Sequence, residues 1–297
     1  MWQQLLDNIQ KGDAKALARG ISLVENESPG YEELLLHLPV TATPVIGITG
    51  PPGAGKSTLV DALIEQLVQK EKNVGVLCVD PSSPFNLGAL LGDRIRMSSW
   101  YNNPRVFIRS LATRGSLGGL HPKIIEISDL MKAAPFDYII IETVGVGQSE
   151  VEIAGLADVT AVVVVPEAGD EVQTMKAGLM EIADIFIVNK ADRPEADTFV
   201  KNLRQMLAPA FSRTSFPIPV VKTVASQKEG IAALYDDILK VLDQHRSNDK
   251  KYWLLAEKAW HLIQEKRMSS VNKQELKDAI AGQGDTLNLY RFISQYY

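Results

Sequence analysis

Gly50-Pro51-Pro52-Gly53-Ala54-Gly55-Lys56-Ser57 has the complete G-x-x-x-x-G-K-[ST] spacing of a phosphate-binding loop, and it follows directly on the apolar run Val45–Thr49. The spacing has a physical reason. Glycines let the backbone curl so that successive N–H groups face one cradle, and a helix starting near Lys56 aims its positive N-terminal end at the same point. Lys56 is placed to reach the β- and γ-phosphates of a nucleoside triphosphate, and the Ser57 hydroxyl to be a magnesium ligand. Thr58 belongs with the loop as a nucleotide-binding residue. Strand, loop and helix in this order predict an α/β chain with the P-loop NTPase fold: a mostly parallel central sheet, here with helical N- and C-terminal extensions.

Working outward, apolar strands alternate with helical patterns. Strands are expected at Val45–Thr49, Val74–Asp80, 105–110, 137–143, 159–165, 185–189 and 218–223. Helices are expected at 56–70, 123–133, 172–182, 196–207 and 231–245. Such alternation argues for a parallel sheet wrapped by helices, with phosphates at the carboxyl ends of the strands. Residues 1–40 read differently, as two amphipathic helical stretches around Leu5, Leu6, Ile9 and Leu17, Ala18, Ile21, separated by Lys11-Gly12-Asp13. Residues 247–297 are again helical, with a break at Gly282–Gly284, and carry Trp253 and Trp260 on one face. These indoles either pack on the core or build a dimer interface. The expected division is therefore 1–40, 41–246 and 247–297.

A second motif names the base. Asn189-Lys190-Ala191-Asp192 follows the strand at Ile185–Val188 and has the N-K-x-D form. A carboxylate at Asp192 can accept from both N1–H and the exocyclic amine of guanine, whereas adenine offers no donors there and would leave the charge desolvated. Ala225-Ser226, just past the last strand, join the nucleotide-binding set. The central domain thus reads as a GTPase, with GTP as substrate and GDP as product.

Hydrolysis needs a metal and a sensor of the γ-phosphate. Glu142-Thr143-Val144-Gly145 leaves the carboxyl end of a strand, with Glu142 where GTPases usually carry Asp; the acid would hold Mg2+ and the Gly145 N–H would contact the γ-phosphate. Asp80 and Asp93 are the other carboxylates positioned for the metal, although Asp80, before Pro81, also suits a turn. Lys56, Glu142 and Asp93 are the candidate catalytic set. Val146 stands where regulatory GTPases place a water-orienting Gln, and Gln148 lies further on, so intrinsic hydrolysis should be slow and dependent on a partner. Arg94, Arg96 and Arg114 are candidates to stabilise charge.

Composition narrows the class. The 297 residues are 45% hydrophobic and 23% charged, as in ordinary globular proteins. A formal net charge of −5 gives no reason to expect nucleic acid. The longest apolar run, 159–166, is too short to span a bilayer, and the N-terminus lacks a secretion signal, so no membrane association and a cytoplasmic location are expected. A single cysteine, Cys78, excludes an internal disulfide.

With these residues in place, the chain closely resembles the methylmalonyl-CoA mutase-associated GTPases, the MeaB/ArgK family, a class of P-loop GTPases that service metalloenzymes and cofactors. The resemblance rests on GITGPPGAGKSTLVDAL (47–63), VDPSSPF (79–85), GALLGDRIRM (88–97), ATRGSLGGL (112–120), IIETVGVGQSE (140–150), VVPEAGDEVQTMKAG (164–178) and NKAD (189–192). It implies magnesium-associated acids at Asp80, Asp93 and Glu142, and a nucleotide-responsive switch at 166–178 that signals to the mutase through Glu167, Asp170, Gln173 and Lys176. It further implies a GTP-hydrolysing chaperone of an adenosylcobalamin-dependent acyl-CoA mutase, methylmalonyl-CoA mutase or a close relative. The chaperone would gate cofactor loading and protect or reactivate the mutase, and would itself be a homodimer. Asn86-Leu87 departs from the family's usual Thr-Gly, and the C-terminal tail departs from its usual dimerisation arm. Two other readings stay open. A nucleotide-dependent protein kinase linked to amino-acid transport is opposed by Asp192, and a metal-insertion GTPase by the lack of C-x-x-C or His-rich segments.

Overall fold

All five residues of β1, Val45–Thr49, are buried in the computed structural model, which describes residues 2–80, 97–113, 120–143, 152–166, 177–211, 217–246, 250–283 and 287–296. A strand covered on both faces needs an apolar residue at nearly every position and a partner on either side. β1 lies between β4 (Tyr138–Glu142) and β5 (Val159–Val164), parallel to both. With β2 (Val74–Asp80), β3 (Val106–Ala112), β6 (Ile185–Val188) and β7 (Val220–Lys222), the described strands form one sheet in the order β3-β2-β4-β1-β5-β6-β7. All of its pairings are parallel. β3 runs past the expected end at 110 because Ala112 still pairs with Asp80. β7 is shorter than expected, since its pairing with β6 covers only Val220, Val221 and Lys222.

Alternation along the strands assigns side chains to two cores. On one face Val159, Ala161 and Val163 pack with Leu59, Leu63 and Leu67 of α4 (Lys56–Gln69), and α8 (Ile231–Arg246) adds Leu234 and Ile238. On the other face Val162 and Val164 meet Phe186, Val188 and, from α7 (Ala196–Phe211), Leu203 and Leu207. The remaining described helices of the sheet region are α5 (Ile124–Lys132) and α6 (Ala177–Ile182), the latter reaching the second core through Leu179.

The N-terminal residues form α1 (Trp2–Gln10), α2 (Ala14–Glu25) and α3 (Tyr31–Leu36). Periodicity predicts only the first two, because six residues are too few to show a helical face. The polar break between them is a helix start: Asp13 accepts from the N–H groups of Lys15 at 2.8 Å and Ala16 at 3.0 Å. α2 buries Leu17, Ile21 and Val24. It approaches α5 so closely that a Cβ on Gly20 would stand 3.1 Å from Leu130 Cδ2. Its last residue, Glu25, takes a hydrogen bond from Arg109 of β3 at 2.9 Å, and Lys123 spans Glu27 at 2.8 Å and Glu126 at 3.2 Å.

The chain divides into two compact units, Met1–Lys251 and Tyr252–Tyr297. Most of the second unit lies in α9 (Lys250–Met268), α10 (Lys273–Gln283) and α11 (Leu289–Ile293). Among its described residues only Phe292 is buried, and Tyr252, Trp253, Leu255, Trp260 and Ile263 are exposed. No described helix is long and apolar enough to cross a membrane.

Phe186 is among the largest fully buried side chains, at 0% exposure, and packs with both β5 and α7. Phe186→Ala is expected to cost about 3–5 kcal/mol, read from the urea midpoint of unfolding; a loss below about 1 kcal/mol would show that this face of the sheet closes around the cavity.

Candidate nucleotide-binding site

The phosphate loop leaves β1 at the middle of the sheet. Gly50 has φ +138°, and a Cβ there would land on the Val163 carbonyl of β5, so the first position of the loop admits no side chain. At its other end Gly55 has φ +85° as the N-cap of α4 and supplies no side-chain oxygen to the first helical turn, the role that a bound anion takes in phosphate sites. Lys56, only 6% exposed, extends back over the loop, its Nζ donating to the Gly50 carbonyl at 2.9 Å and the Pro51 carbonyl at 3.1 Å. A lysine ammonium this deeply enclosed needs oxygen acceptors around it, and the loop's carbonyls provide them.

Ser57 and Glu142 meet where α4 faces the end of β4. The Ser57 hydroxyl donates to Glu142 Oε1 at 2.7 Å, a buried contact between residues far apart in sequence. Parallel pairing of Ile48 with Glu142 is what sets the carboxylate beside the loop. Asp80, 4% exposed, ends β2, which also pairs with β4. These donors are hard oxygens, the chemistry that suits Mg2+. No group of three or more His, Cys, Asp or Glu able to hold a metal occurs among the described residues. Asp93, Gly145, Glu167, Asp170, Gln173 and Lys176 lie outside the described residues, as do Arg94, Arg96, Arg114 and Gln148.

The base-recognition end is organised by Asn189. Its side chain is 2% exposed and bonded through both ends of the amide: Nδ2 donates to the Ala54 carbonyl at 2.9 Å, and Oδ1 accepts from the Thr223 hydroxyl and from the Ala225 N–H, both at 3.1 Å. Loop, N-K-x-D turn and the segment after β7 are thus tied by one amide. A Cβ on Gly55 would lie 2.5 Å from Asn189 Nδ2, so the last loop glycine also makes room for this amide. Lys190 adopts φ +55°, and Ala191 N–H donates to the Thr223 carbonyl at 3.0 Å, turning Asp192 outward where it is exposed. Ser226 is exposed in the 3-10 turn Ala225–Gln227. Pro52, Gly53 and Thr58 are exposed and Ala54 is buried.

The structure therefore brings the loop, Ser57, Glu142 and Asn189 together, with Asp80 at the end of the strand beyond β4. Sequence reasoning missed three threonines, Thr49, Thr143 and Thr223, all buried at 0 to 1% exposure. Thr143 Oγ1 donates to Thr49 Oγ1 at 2.9 Å, directly beneath the phosphate loop. Threonine is itself a common strand residue, so the order of residues carries no signal that sets these three apart.

A family model described as methylmalonyl-CoA mutase-associated GTPase MeaB matches residues 17–279. A Pyrococcus abyssi protein that carries the name GTPase is 47% identical over 270 residues, covering 89% of this chain and 82% of that one. A fused isobutyryl-CoA mutase of Geobacillus kaustophilus is 38% identical over 237 residues, which are 75% of this chain and 22% of the fusion. Among solved structures, one titled LAO/AO transport system kinase superposes with a TM-score of 0.68 at 26% identity, covering 99% of this chain and 96% of its own.

Asn189→Ala deletes three buried hydrogen bonds that join the two halves of the site. Guanine-nucleotide affinity is expected to fall about 10–100-fold, measured by titration of a fluorescent GDP analogue, whereas a change of less than about threefold would show that the segments hold their places without the amide.

Proposed function

The chain belongs to the family of methylmalonyl-CoA mutase-associated GTPases, MeaB, and from that premise we propose that it is a GTP-driven chaperone of an adenosylcobalamin-dependent acyl-CoA mutase. The observation that carries the mutase reading is the fused relative, in which a segment 38% identical to this chain is part of a polypeptide named as an isobutyryl-CoA mutase. Joining two activities in one chain raises their effective concentration, which is of use when they work on one another. In this reading GTP hydrolysis gates loading of the cobalamin cofactor and protects or restores the mutase.

The site's own residues supply the chemistry of converting GTP and water to GDP and phosphate. Backbone N–H groups of residues 53–57, at the α4 N-terminus, cradle the phosphates, Pro51 and Pro52 having none to give. Lys56 exchanges the Gly50 and Pro51 carbonyls for phosphate oxygens, placing its charge where negative charge gathers during transfer. Ser57 and Glu142, already in contact, would hold Mg2+ together with Asp80, and the resemblance adds Asp93. A divalent ion held there would supply positive charge to offset that of the phosphates. Asp192, exposed beyond the Asn189 bridge, accepts from guanine.

The homodimer is part of the same proposal. A helical unit of 46 residues, Tyr252–Tyr297, in which Phe292 is the one described buried residue leaves Trp253 and Trp260 to be covered by a second copy. A reducing compartment such as the cytoplasm suits a chain whose single cysteine, Cys78, is buried.

Lys56→Ala is expected to lower GTP turnover by at least about 100-fold with the fold retained by circular dichroism; wild-type turnover in this variant would remove the loop from the reaction. With an adenosylcobalamin-dependent acyl-CoA mutase from the same organism, GTP hydrolysis should accelerate. Asp170→Asn and Lys176→Ala should blunt that acceleration while nucleotide affinity stays nearly unchanged. Absence of any stimulation by the mutase, or transfer of the γ-phosphate to a protein, would replace the chaperone reading by the kinase one.

A further inference from the structure

Thr49 ends β1 and is followed at once by Gly50, while Thr143 follows Glu142 at the end of β4. The two side chains are 0% and 1% exposed, and the Thr143 hydroxyl donates to the Thr49 hydroxyl at 2.9 Å. The backbone at this step is tied as well, since Thr143 N–H donates to the Ile48 carbonyl at 3.0 Å. Valine has the same shape and suits a buried strand better, because a hydroxyl taken out of water must find a partner. The hydroxyl pair therefore needs a reason beyond packing. Its position supplies one. One residue before Thr143, Glu142 Oε1 accepts from Ser57 at 2.7 Å, and the segment from Gly50 to Ser57 hangs from Thr49. Two polar cross-links, Thr49–Thr143 and Ser57–Glu142, thus join β1 and α4, the elements at the two ends of the phosphate loop, to successive residues at the end of β4.

We propose that Thr49 and Thr143 are positioning residues for the divalent metal: their hydroxyl bridge clamps the end of β4 to the root of the phosphate loop and so holds the Glu142 carboxylate at the right distance from Ser57. Neither threonine touches the metal or the nucleotide. The inference rests on the reading that Ser57 and Glu142 hold Mg2+. Without the bridge, the step from β4 to β1 is held by the backbone bond from Thr143 to Ile48 alone, and the Glu142 and Ser57 oxygens are held less firmly as a pair. Phosphate binding by the loop is expected to change little, because Lys56 is bonded to the loop's own Gly50 and Pro51 carbonyls.

The test is a fluorescent GDP analogue titrated against the full chain in EDTA and then across a Mg2+ series, for wild type, Thr49→Val, Thr143→Val, the double variant and Thr143→Ser. Each valine variant should bind GDP in EDTA within about twofold of wild type yet need about fivefold or more Mg2+ for its half-maximal effect on affinity. Thr143→Ser should restore the wild-type midpoint, and the double variant should be no worse than the poorer single one, as expected for partners in one bond. Wild-type Mg2+ midpoints in both valine variants, or equal losses with and without Mg2+, overturn the proposal. A wild type whose GDP affinity ignores Mg2+ would overturn the metal reading itself, an outcome visible before any variant is made. If Thr143→Val does not fold, Thr49→Val removes the acceptor of the same bond and is read identically.

Discussion

One buried amide joins the parts of this site that the chain delivers from different directions. Asn189 bonds to Ala54 of the phosphate loop, to Thr223 after β7 and to Ala225 beyond it. A side-chain amide enclosed to 2% exposure must be satisfied or it costs free energy, so the three contacts are mutually enforcing: each segment is held because the others complete the set. Gly55 is part of the same arrangement, since any side chain there would collide with the amide. In the proposed reading, guanine selection and phosphate binding would thereby be mechanically linked, since Asn189, three residues before Asp192, also bonds to the loop at Ala54.

The site holds its charged side chains almost entirely out of water. Lys56 at the start of α4, Glu142 and Asp80 are each nearly enclosed, at 4 to 6% exposure, beside a sheet whose residues are mostly apolar. Charges in such surroundings are costly unless paired and hydrogen-bonded. Their partners include the Gly50 and Pro51 carbonyls for Lys56 and the Ser57 hydroxyl for Glu142. The parallel sheet brings these side chains to one edge, because loops from β1, β2 and β4 emerge there, at the carboxyl ends of the strands.

The N-terminal helices are tied to this frame by both apolar and ionic contacts. Gly20 lets α2 reach Leu130, and Glu25 pairs with Arg109 on β3 with half-buried to buried side chains on either side. An acid at a helix C-terminus opposes the helix dipole, so Glu25 is tolerated there because Arg109 meets it. The C-terminal unit is built otherwise, with large aromatic side chains exposed along α9 and little core of its own.

Sequence by itself determined what depends on near neighbours. The loop spacing from Gly50 to Ser57, the N-K-x-D turn and the apolar strands are all read within a few residues, because a strand, a tight turn and a helix start are local events. The termini of β3 and β7 shifted, since pairing partners rather than composition decide where a strand stops. α3 was illegible because it is shorter than the period that would reveal it. Threonine suits any strand, so nothing in the order of residues distinguished Thr49, Thr143 and Thr223 from ordinary β formers. Only the tertiary structure decided that β4 lies beside β1, which brings Glu142 to Ser57 and Thr143 to Thr49. Strand order follows from how helices cover both faces of the sheet, a balance of buried area summed over the whole chain that no single stretch of residues contains.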